Sequence, residues 1–423
     1  MAEPWRTSPV RRDGSGLRAG VRRAHVTRLL GIVTLLLGCV WMVTAGVAQA
    51  SQTATAAGSA WKVEPTPNQD RDGAAINELS AVSCTSGRAC TAVGSHAASL
   101  SSTTFTLAER WNGTRWRIQH TTLPAGAASG TLFGVSCTSA TACTAVGSAT
   151  SKATGRTVNL AETWNGTSWR VQAIPNPKAS TGGALHGVSC TSRRACTAVG
   201  NYGTAAGRVL AVAERWNGAR WVIQPTPRPA GAASAEFSGV SCSAARACTA
   251  VGYYTGAGGT RPLAEAWNGT RWHIRAVPLP RGAPGGILAA VSCTSPPACT
   301  ATGANFSATR PTLAERWNGT RWRVQPTPNP ANSGASRQQP ELNGVSCASA
   351  TACTASSAYA PGGQSAYFLE SWNGRRWRLV TAPLPAGFIA GALNGMSCVP
   401  ARCTAVGAWS GGTVSVATLA MAN

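Results

Sequence analysis

The feature that most constrains this chain is a repeat that occurs seven times. Cys84, Cys137, Cys190, Cys242, Cys293, Cys347 and Cys398 follow one another at spacings of 53, 53, 52, 51, 54 and 51 residues. Self-similarity at such a period marks a repeat architecture. Each unit reads GVSCTSxxACTAVG, then a variable polar stretch, then LAExWNGxxW and a Pro-rich tail. LFGVSC and CTAVG are short β-branched runs bounded by Ser, Thr and Gly, as strands are. TLAERW and RWRVQ flank Asn112-Gly113, a dipeptide suited to the two positive φ angles of a tight hairpin. Whether the loop is N-G alone or N-G-T-R, period-2 counting puts Trp111 and Trp116 on one face. Each unit is therefore four antiparallel strands, a to d, with tryptophans that pack between neighbouring units.

A sheet of four such short strands cannot bury both faces alone. Seven arranged radially bury one another, as in a propeller; a solenoid would need capping ends. The ends of this chain point to a ring. The seventh unit stops at TLAMAN, where its first Trp would stand, and so lacks strand d. Near the start, GSAWKVEPTPN provides that strand, with Gly58 and Trp61 spaced like Gly113 and Trp116. The expected fold is all-β: a seven-bladed β-propeller of four-stranded antiparallel blades over residues 51–423. Its ring is closed by the N-terminal strand around Trp61 pairing with the C-terminal blade near Thr418, which also covers exposed strand edges.

Residues 1–50 have the order of a signal peptide: seven arginines among the first 28 residues, the apolar run LLGIVTLLLGCVWMV, and AQA at Ala48 to Ala50. An uncleaved anchor is the alternative, since Leu29 to Val47 is nearly long enough to span a bilayer. LLGC at Leu36 to Cys39 loosely resembles a lipoprotein box, but the apolar run continues past it. Beyond residue 50 remain 30 Lys and Arg against 12 Asp and Glu, a net +18 that favours anionic partners. Fourteen cysteines remain there in seven close pairs: Cys84/Cys90, Cys137/Cys143, Cys190/Cys196, Cys242/Cys248, Cys293/Cys299, Cys347/Cys353 and Cys398/Cys403. Even counts in an exported chain imply disulfides. Each pair reads as one bridge across an a–b hairpin, worth about 2 kcal/mol on the chain-entropy estimate. A metal site would need closer knuckles and recurring histidines, so neither metal nor cofactor is expected.

Because strands alternate in direction, the a–b and c–d turns share one rim of the ring, while b–c loops and d–a links share the other. The first rim is nearly constant from unit to unit and the second varies, where recognition usually lives. Tyr202, Tyr253, Tyr254, Tyr359 and Tyr367 fall in or beside the variable loops, with Phe306 and Trp409. Of these, Tyr202, Tyr253, Tyr254, Phe306, Tyr359 and Trp409 are the candidate ligand-binding residues. Six acids share one position, Glu109, Glu162, Glu214, Glu265, Glu315 and Glu370; such repetition reads as scaffold, with arginines or backbone donors as partners. Glu78, Glu236 and Glu341 share another, six residues before a first cysteine, which places them at the channel mouth as candidates for acid/base work. His96, His120, His186 and His273 hold unrelated positions, and no triad, P-loop or HExxH pattern occurs.

The hairpin NGTRW resembles the Asp-box of sialidase-type propellers in its Gly-x-x-aromatic spacing, with Trp111 where the box has Asp. Over 56–423 the chain resembles exported repeat proteins of GC-rich bacteria carrying SC-x5-C-TAVG and WNG-x-x-W. Closure by an N-terminal outer strand is similar to that of WD40 and kelch-type propellers. These resemblances imply a propeller, and fold analogy does not transfer function. The expected role is a secreted or cell-surface, monomeric, non-enzymatic binding or adhesion protein for a glycan, an envelope polymer or a protein. The membrane is expected to be contacted only through an uncleaved N-terminal segment. A glycan-cleaving hydrolase or lyase using Glu78, Glu236 and Glu341 is the rival. Nucleic acid or polyphosphate binding along Arg115, Arg117, Arg321, Arg323, Arg375, Arg376 and Arg378 ranks behind both and would be steeply salt-dependent.

Overall fold

The computed structural model describes residues 60–69, 75–99, 103–309, 311–330, 340–360, 364–412 and 415–423. The expected signal segment 1–50 and Gly58 lie outside the described residues. Those described form 28 strands in seven blades. Blade one runs a (Ile76–Ser86), b (Ala89–Ala97), c (Phe105–Trp111) and d (Trp116–Gln119), hydrogen-bonded in that order. Blades two to six repeat it, with strands a at Ala127–Ser139, Ser180–Ser192, Ala232–Ala244, Gly286–Ser295 and Glu341–Ser349. Blade seven takes a, b and c from Ala390–Val399, Arg402–Ser410 and Val416–Ala422, and its strand d is Lys62–Glu64 from the other end of the chain. Lys62 stands opposite Ala422 and Glu64 opposite Ala420. The a strands touch their neighbours all the way round, so they line the axis.

Seven disulfides form in the expected pairs: Cys84 with Cys90, Cys137 with Cys143, Cys190 with Cys196, Cys242 with Cys248, Cys293 with Cys299, Cys347 with Cys353 and Cys398 with Cys403. Each joins cysteines opposite one another in the a–b register, at Cα separations of 3.9 to 4.0 Å. The second sulfur of a pair also meets a threonine of the preceding blade. Thr144 lies 3.7 Å from the Cys196 sulfur, Thr197 3.5 Å from Cys248, Thr249 3.7 Å from Cys299, Thr300 3.7 Å from Cys353 and Thr354 3.5 Å from Cys403. The bridges are thus part of the blade interfaces as well as of the hairpins.

The c–d turn differs from expectation in one respect. It spans four residues, and of Asn112-Gly113 only Gly113 has a positive φ, 98°. The Asn112 side chain closes the turn instead, its Oδ1 accepting from the amides of Thr114 and Arg115 (3.0 Å each) and from the Thr114 hydroxyl (2.8 Å). Trp111 and Trp116 then face each other directly, ring centroids 5.8 Å apart.

Blade joins blade through one apolar cluster per interface. At the first, Val93 and Ala108 of blade one meet Leu132, Val135, Ala145, Leu160, Trp164 and Trp169 of blade two. The small Ala and Val of one face accept the Leu and Trp of the next, and five more clusters repeat this round the ring, while between blades six and seven the blade-six face presents Tyr367 and Leu369. The serine of the SC motif adds a polar clasp. Each first cysteine donates its backbone amide to the serine Oγ of the preceding blade: Cys137 to Ser83, Cys190 to Ser136, Cys242 to Ser189, Cys293 to Ser241, Cys347 to Ser292, Cys398 to Ser346 and Cys84 to Ser397, at 2.8 to 3.0 Å. The last of these crosses the chain ends. Such close approach demands small residues; a Cβ on Gly187 would lie 3.1 Å from the Gly239 Cα of the next blade.

Outer strands are tied by the Pro-rich tail, whose prolines lack the amides an edge strand would leave unpaired. Asn68 Oδ1 accepts from the Thr418 amide (2.8 Å), as Asn176 does from Asn159 and Asn329 from Thr312. Glu64 completes closure: its carboxylate accepts from Trp116 Nε1 of blade one (2.9 Å) and pairs with Arg402 of blade seven. At three other interfaces a glutamine accepts from the indole instead, Gln119 from Trp169, Gln172 from Trp221 and Gln325 from Trp377.

The six repeated glutamates do not find the arginine or backbone partners expected of them. All are fully buried in the interfaces. For Glu162, Glu265, Glu315 and Glu370, neither carboxyl oxygen has a hydrogen-bond partner among the described residues. Asn159 reaches Glu214 from the preceding blade (2.8 Å), and Thr418 stands beside Glu109 with its hydroxyl turned to Pro67 and Asn68. Loss of hydration disfavours the anion, so burial pushes five of these carboxyls up to about 8 and Glu370 up to about 9. They are neutral acids at pH 7. At the seventh interface Met421 takes the glutamate's place, packed near Tyr367.

Closure and neutral burial can each be tested by stability. Trp61 is 8% exposed and Lys62 beside it is exposed. Trp61→Ala therefore lowers unfolding free energy by about 3 to 5 kcal/mol and Lys62→Ala by less than about 0.5 kcal/mol, read by urea titration. For the glutamates, the native pKa lies above the unfolded one, so stability is full below about pH 4.5 and declines until about pH 8 to 9. Calorimetry of E162Q/E265Q/E315Q is expected to show a higher Tm than wild type at pH 9 and a flatter pH dependence. Identical pH profiles would refute neutral burial.

Candidate functional site

Length change is confined to one rim. All seven a–b turns leave two residues between strands, and all six continuous c–d turns leave four. The b–c loops range from two residues between Gly256 and Gly259 to ten between Ala358 and Leu369. The constant rim has its polar groups spent on Asn-capped turns, disulfides and the serine clasp, so loops can change only on the opposite rim without disturbing the ring.

The aromatics expected there are mostly drawn inward. Tyr253 and Tyr367 are buried, and the Tyr367 hydroxyl donates to Pro383 O (2.8 Å). Tyr202, Tyr254, Tyr359 and Trp409 are half-buried against the interface clusters. Phe306 is 41% exposed, held by its amide to Gly285 O (2.9 Å) with its ring against Gly285. Phe105, Leu384 and Ile389 join it as exposed apolar side chains of this rim. Between blades three and four the rim opens into a crevice of about 480 Å³ lined by Arg208, Arg228, Pro229 and Gly231.

Glu78, Glu236 and Glu341 sit at the starts of strands a of blades one, four and six, on the variable-rim side. Glu78 and Glu236 engage amides of different blades. Glu78 accepts from Asn394 Nδ2 of blade seven (2.8 Å), and burial, partly offset by that bond, pushes its carboxyl up to about 6. Glu236 accepts from Asn201 Nδ2 of blade three (3.1 Å) and stands opposite Tyr253. Among the described residues no group of three or more His, Cys, Asp or Glu is arranged to hold a metal ion.

One member of this neighbourhood escaped sequence reading. Asn201 Nδ2 also contacts His186 Nε2 (3.1 Å), so a single amide holds the histidine of blade three beside the glutamate of blade four. With the amide donating, Nε2 accepts and the imidazole proton sits on Nδ1. The His186 ring lies 5.5 Å from Phe133. The signal was a repeat column: Ser80, Phe133, His186, Ser238, Ala289, Asn343 and Asn394 share one position between constant neighbours. A position that varies inside an otherwise constant strand is where chemistry has room to enter.

Among the described residues no helix is long and apolar enough to cross a membrane. The disulfides are those of a chain that matures in an oxidising compartment. No family model matches the chain. No curated protein matches it either. Solved structures do: YCF48 from Cyanidioschyzon merolae (11% identity, 86% of this chain and 98% of that one, TM-score 0.47); a Trypanosoma rangeli sialidase in complex with the inhibitor DANA (10%, 73% and 56%, 0.45); and a fucose-specific lectin from Aleuria aurantia (9%, 73% and 97%, 0.42).

Proposed function

We propose that this chain is an extracytoplasmic, non-enzymatic binding or adhesion propeller. It recognises a glycan, an envelope polymer or a protein through its b–c loops and d–a links. The observation that supports this is the contrast between rims: one is fixed in length at every turn, and the other carries all the length variation together with exposed apolar side chains. Phe306 provides the leading contact face, and Tyr202, Tyr254, Tyr359 and Trp409 offer edges and polar tips at the bases of their loops. Aromatic faces of this kind suit sugar rings and apolar protein surfaces.

A second reading, a glycan-cleaving hydrolase or lyase, is favoured by one observation: Glu78 holds its proton up to about pH 6, as a general acid would. Both readings are tested on an array of neutral and acidic oligosaccharides with cell-envelope fractions. Phe306→Ala is expected to weaken binding about tenfold, the scale of a lost interface anchor, with Tm unchanged. E78Q/E236Q/E341Q is expected to bind as wild type does. Turnover of a bound oligosaccharide that the triple variant abolishes would sink the binding-only reading.

A further inference from the structure

A groove on the opposite rim goes beyond this reading. Between the outer strands of blades five and six lies a cavity of about 300 Å³ lined by Arg316, Arg323, Arg375 and Arg376 with Gln325 and Trp372. Four arginines converge there and no acid lines the space. The carboxyls nearest in sequence, Glu315 and Glu370, are sealed in the core. Arg316 is used structurally: its Nη1 donates to Ala350 O (2.6 Å) and its guanidinium lies 5.8 Å from the Trp372 ring. Arg323, Arg375 and Arg376 are exposed, and no hydrogen bond or ion pair among the described residues engages their guanidiniums.

The repeat shows that this charge is particular to one groove. At the Arg375 position the other c–d turns carry Thr114, Thr167, Ala219, Thr270 and Thr320. At the Arg376 position blade two has Ser168, and at the Arg323 position blade three has Val222. Turn and strand therefore fold without these arginines. At the same four positions between blades two and three stand Thr163, Arg170, Ala219 and Arg220, two arginines instead of four. Like charges gathered without a counter-charge cost stability, and an anionic ligand removes that cost.

We propose that the groove between blades five and six binds the anionic groups, carboxylate or sulfate, of an acidic glycan. Guanidinium forks match both groups bidentately. A nucleic acid is a poorer fit. Single strands need an exposed aromatic face for base stacking, and Trp372 is 8% exposed. Duplexes need a long track of phosphate contacts, whereas at the next interface this position retains Arg378 with Ser371 in place of Arg316.

The test uses R323V/R375T/R376S, each change importing a residue that another blade already carries there. Its control, R115S/R117V/R271S, removes the same charge from blades one and four. Protein from expression of the full chain is titrated at 0.15 M salt with a heparin oligosaccharide, a polygalacturonate oligomer, a neutral dextran and a single-stranded oligonucleotide. The groove variant is expected to lose at least about tenfold in affinity for the sulfated oligomer, the carboxylated oligomer or both, and the control less than about twofold. The two acidic arms tell sulfate from carboxylate. Equal losses in both variants, no binding of either acidic oligomer by wild type, or a groove-dependent loss confined to the oligonucleotide would each overturn the proposal. Phe306→Ala should leave acidic-oligomer affinity at the groove unchanged, so failure here is distinguishable from failure of the rim.

Discussion

The ring of serine hydroxyls accepting cysteine amides is the contact on which the rest of this structure depends. A blade presents its serine Oγ to the next blade and its first-cysteine amide to the previous one, so every blade is acceptor and donor at once. A bond of this type is worth only about 1 kcal/mol net, but an amide left without it in the packed centre costs about 1 to 3 kcal/mol. The penalty fixes the radial register of the inner strands. It also explains the neighbours of the serine. Approach at this distance requires Gly or Ala at Ala81, Gly134, Gly187, Gly239, Ala290, Gly344 and Gly395. A second chain of contacts lies just outside, where the threonine of CTAVG reaches the second-cysteine sulfur of the next blade, as Thr91 does for Cys143 (3.5 Å) and Thr404, across the chain ends, for Cys90 (3.9 Å). The disulfide therefore holds both registers at once: within a blade by its covalent bridge, and between blades by what its sulfur and amide meet.

What the sequence made legible was what lies within one repeat. Cysteine spacing, strand alternation and the missing strand d are local patterns, and the pairing of Lys62–Glu64 with Val416–Ala422 follows from completing the last of them. Contacts between repeats were not legible. Ser83 meets Cys137, Gln119 meets Trp169 and Asn159 meets Glu214, each about one repeat away, and no periodicity within a unit marks which residues face across. The glutamates were misjudged for the same reason. Their repetition correctly marked scaffold, but nothing in LAE indicates that the carboxyl is sealed in a blade interface without an arginine partner. The arginine one residue on points elsewhere, as Arg215 does to the Trp267 ring of the next blade (4.7 Å). At the rim, spacing located the aromatics correctly on loops and strand ends but could not say which would fold back into the interfaces.

Departures from the repeat are compensated in space by a neighbouring group, in the blade beside them or in their own. Where Met421 replaces the glutamate, the residue opposite on blade six is Tyr367, and the two share one apolar cluster. Blade six also has Ser357 where other blades have the glycine of TAVG, and its hydroxyl accepts from the Phe368 amide (2.8 Å) while donating to the Phe368 carbonyl (2.6 Å). Glu64 replaces glutamine at the closing strand, where Arg402 stands as a counter-charge. In each case the change meets its partner in space, across a blade boundary for Met421 and within a blade for Ser357 and Glu64, which is how a closed circle of similar blades tolerates individuality.

The same logic separates where binding can arise. A side chain on the constant rim or in an interface has a neighbour that depends on it, so a change there needs a second change across the blade boundary. Two regions escape this coupling: the loops of the variable rim and the outer ends of the c–d turns. Arg375 occupies the second kind of position, since the Thr114 that stands in its place in blade one bonds only within its own turn. Replacing that threonine by arginine removes a local hydroxyl contact and disturbs no other blade. Charge can therefore accumulate at one groove without weakening the ring, and it has accumulated where Arg316 already lines the wall.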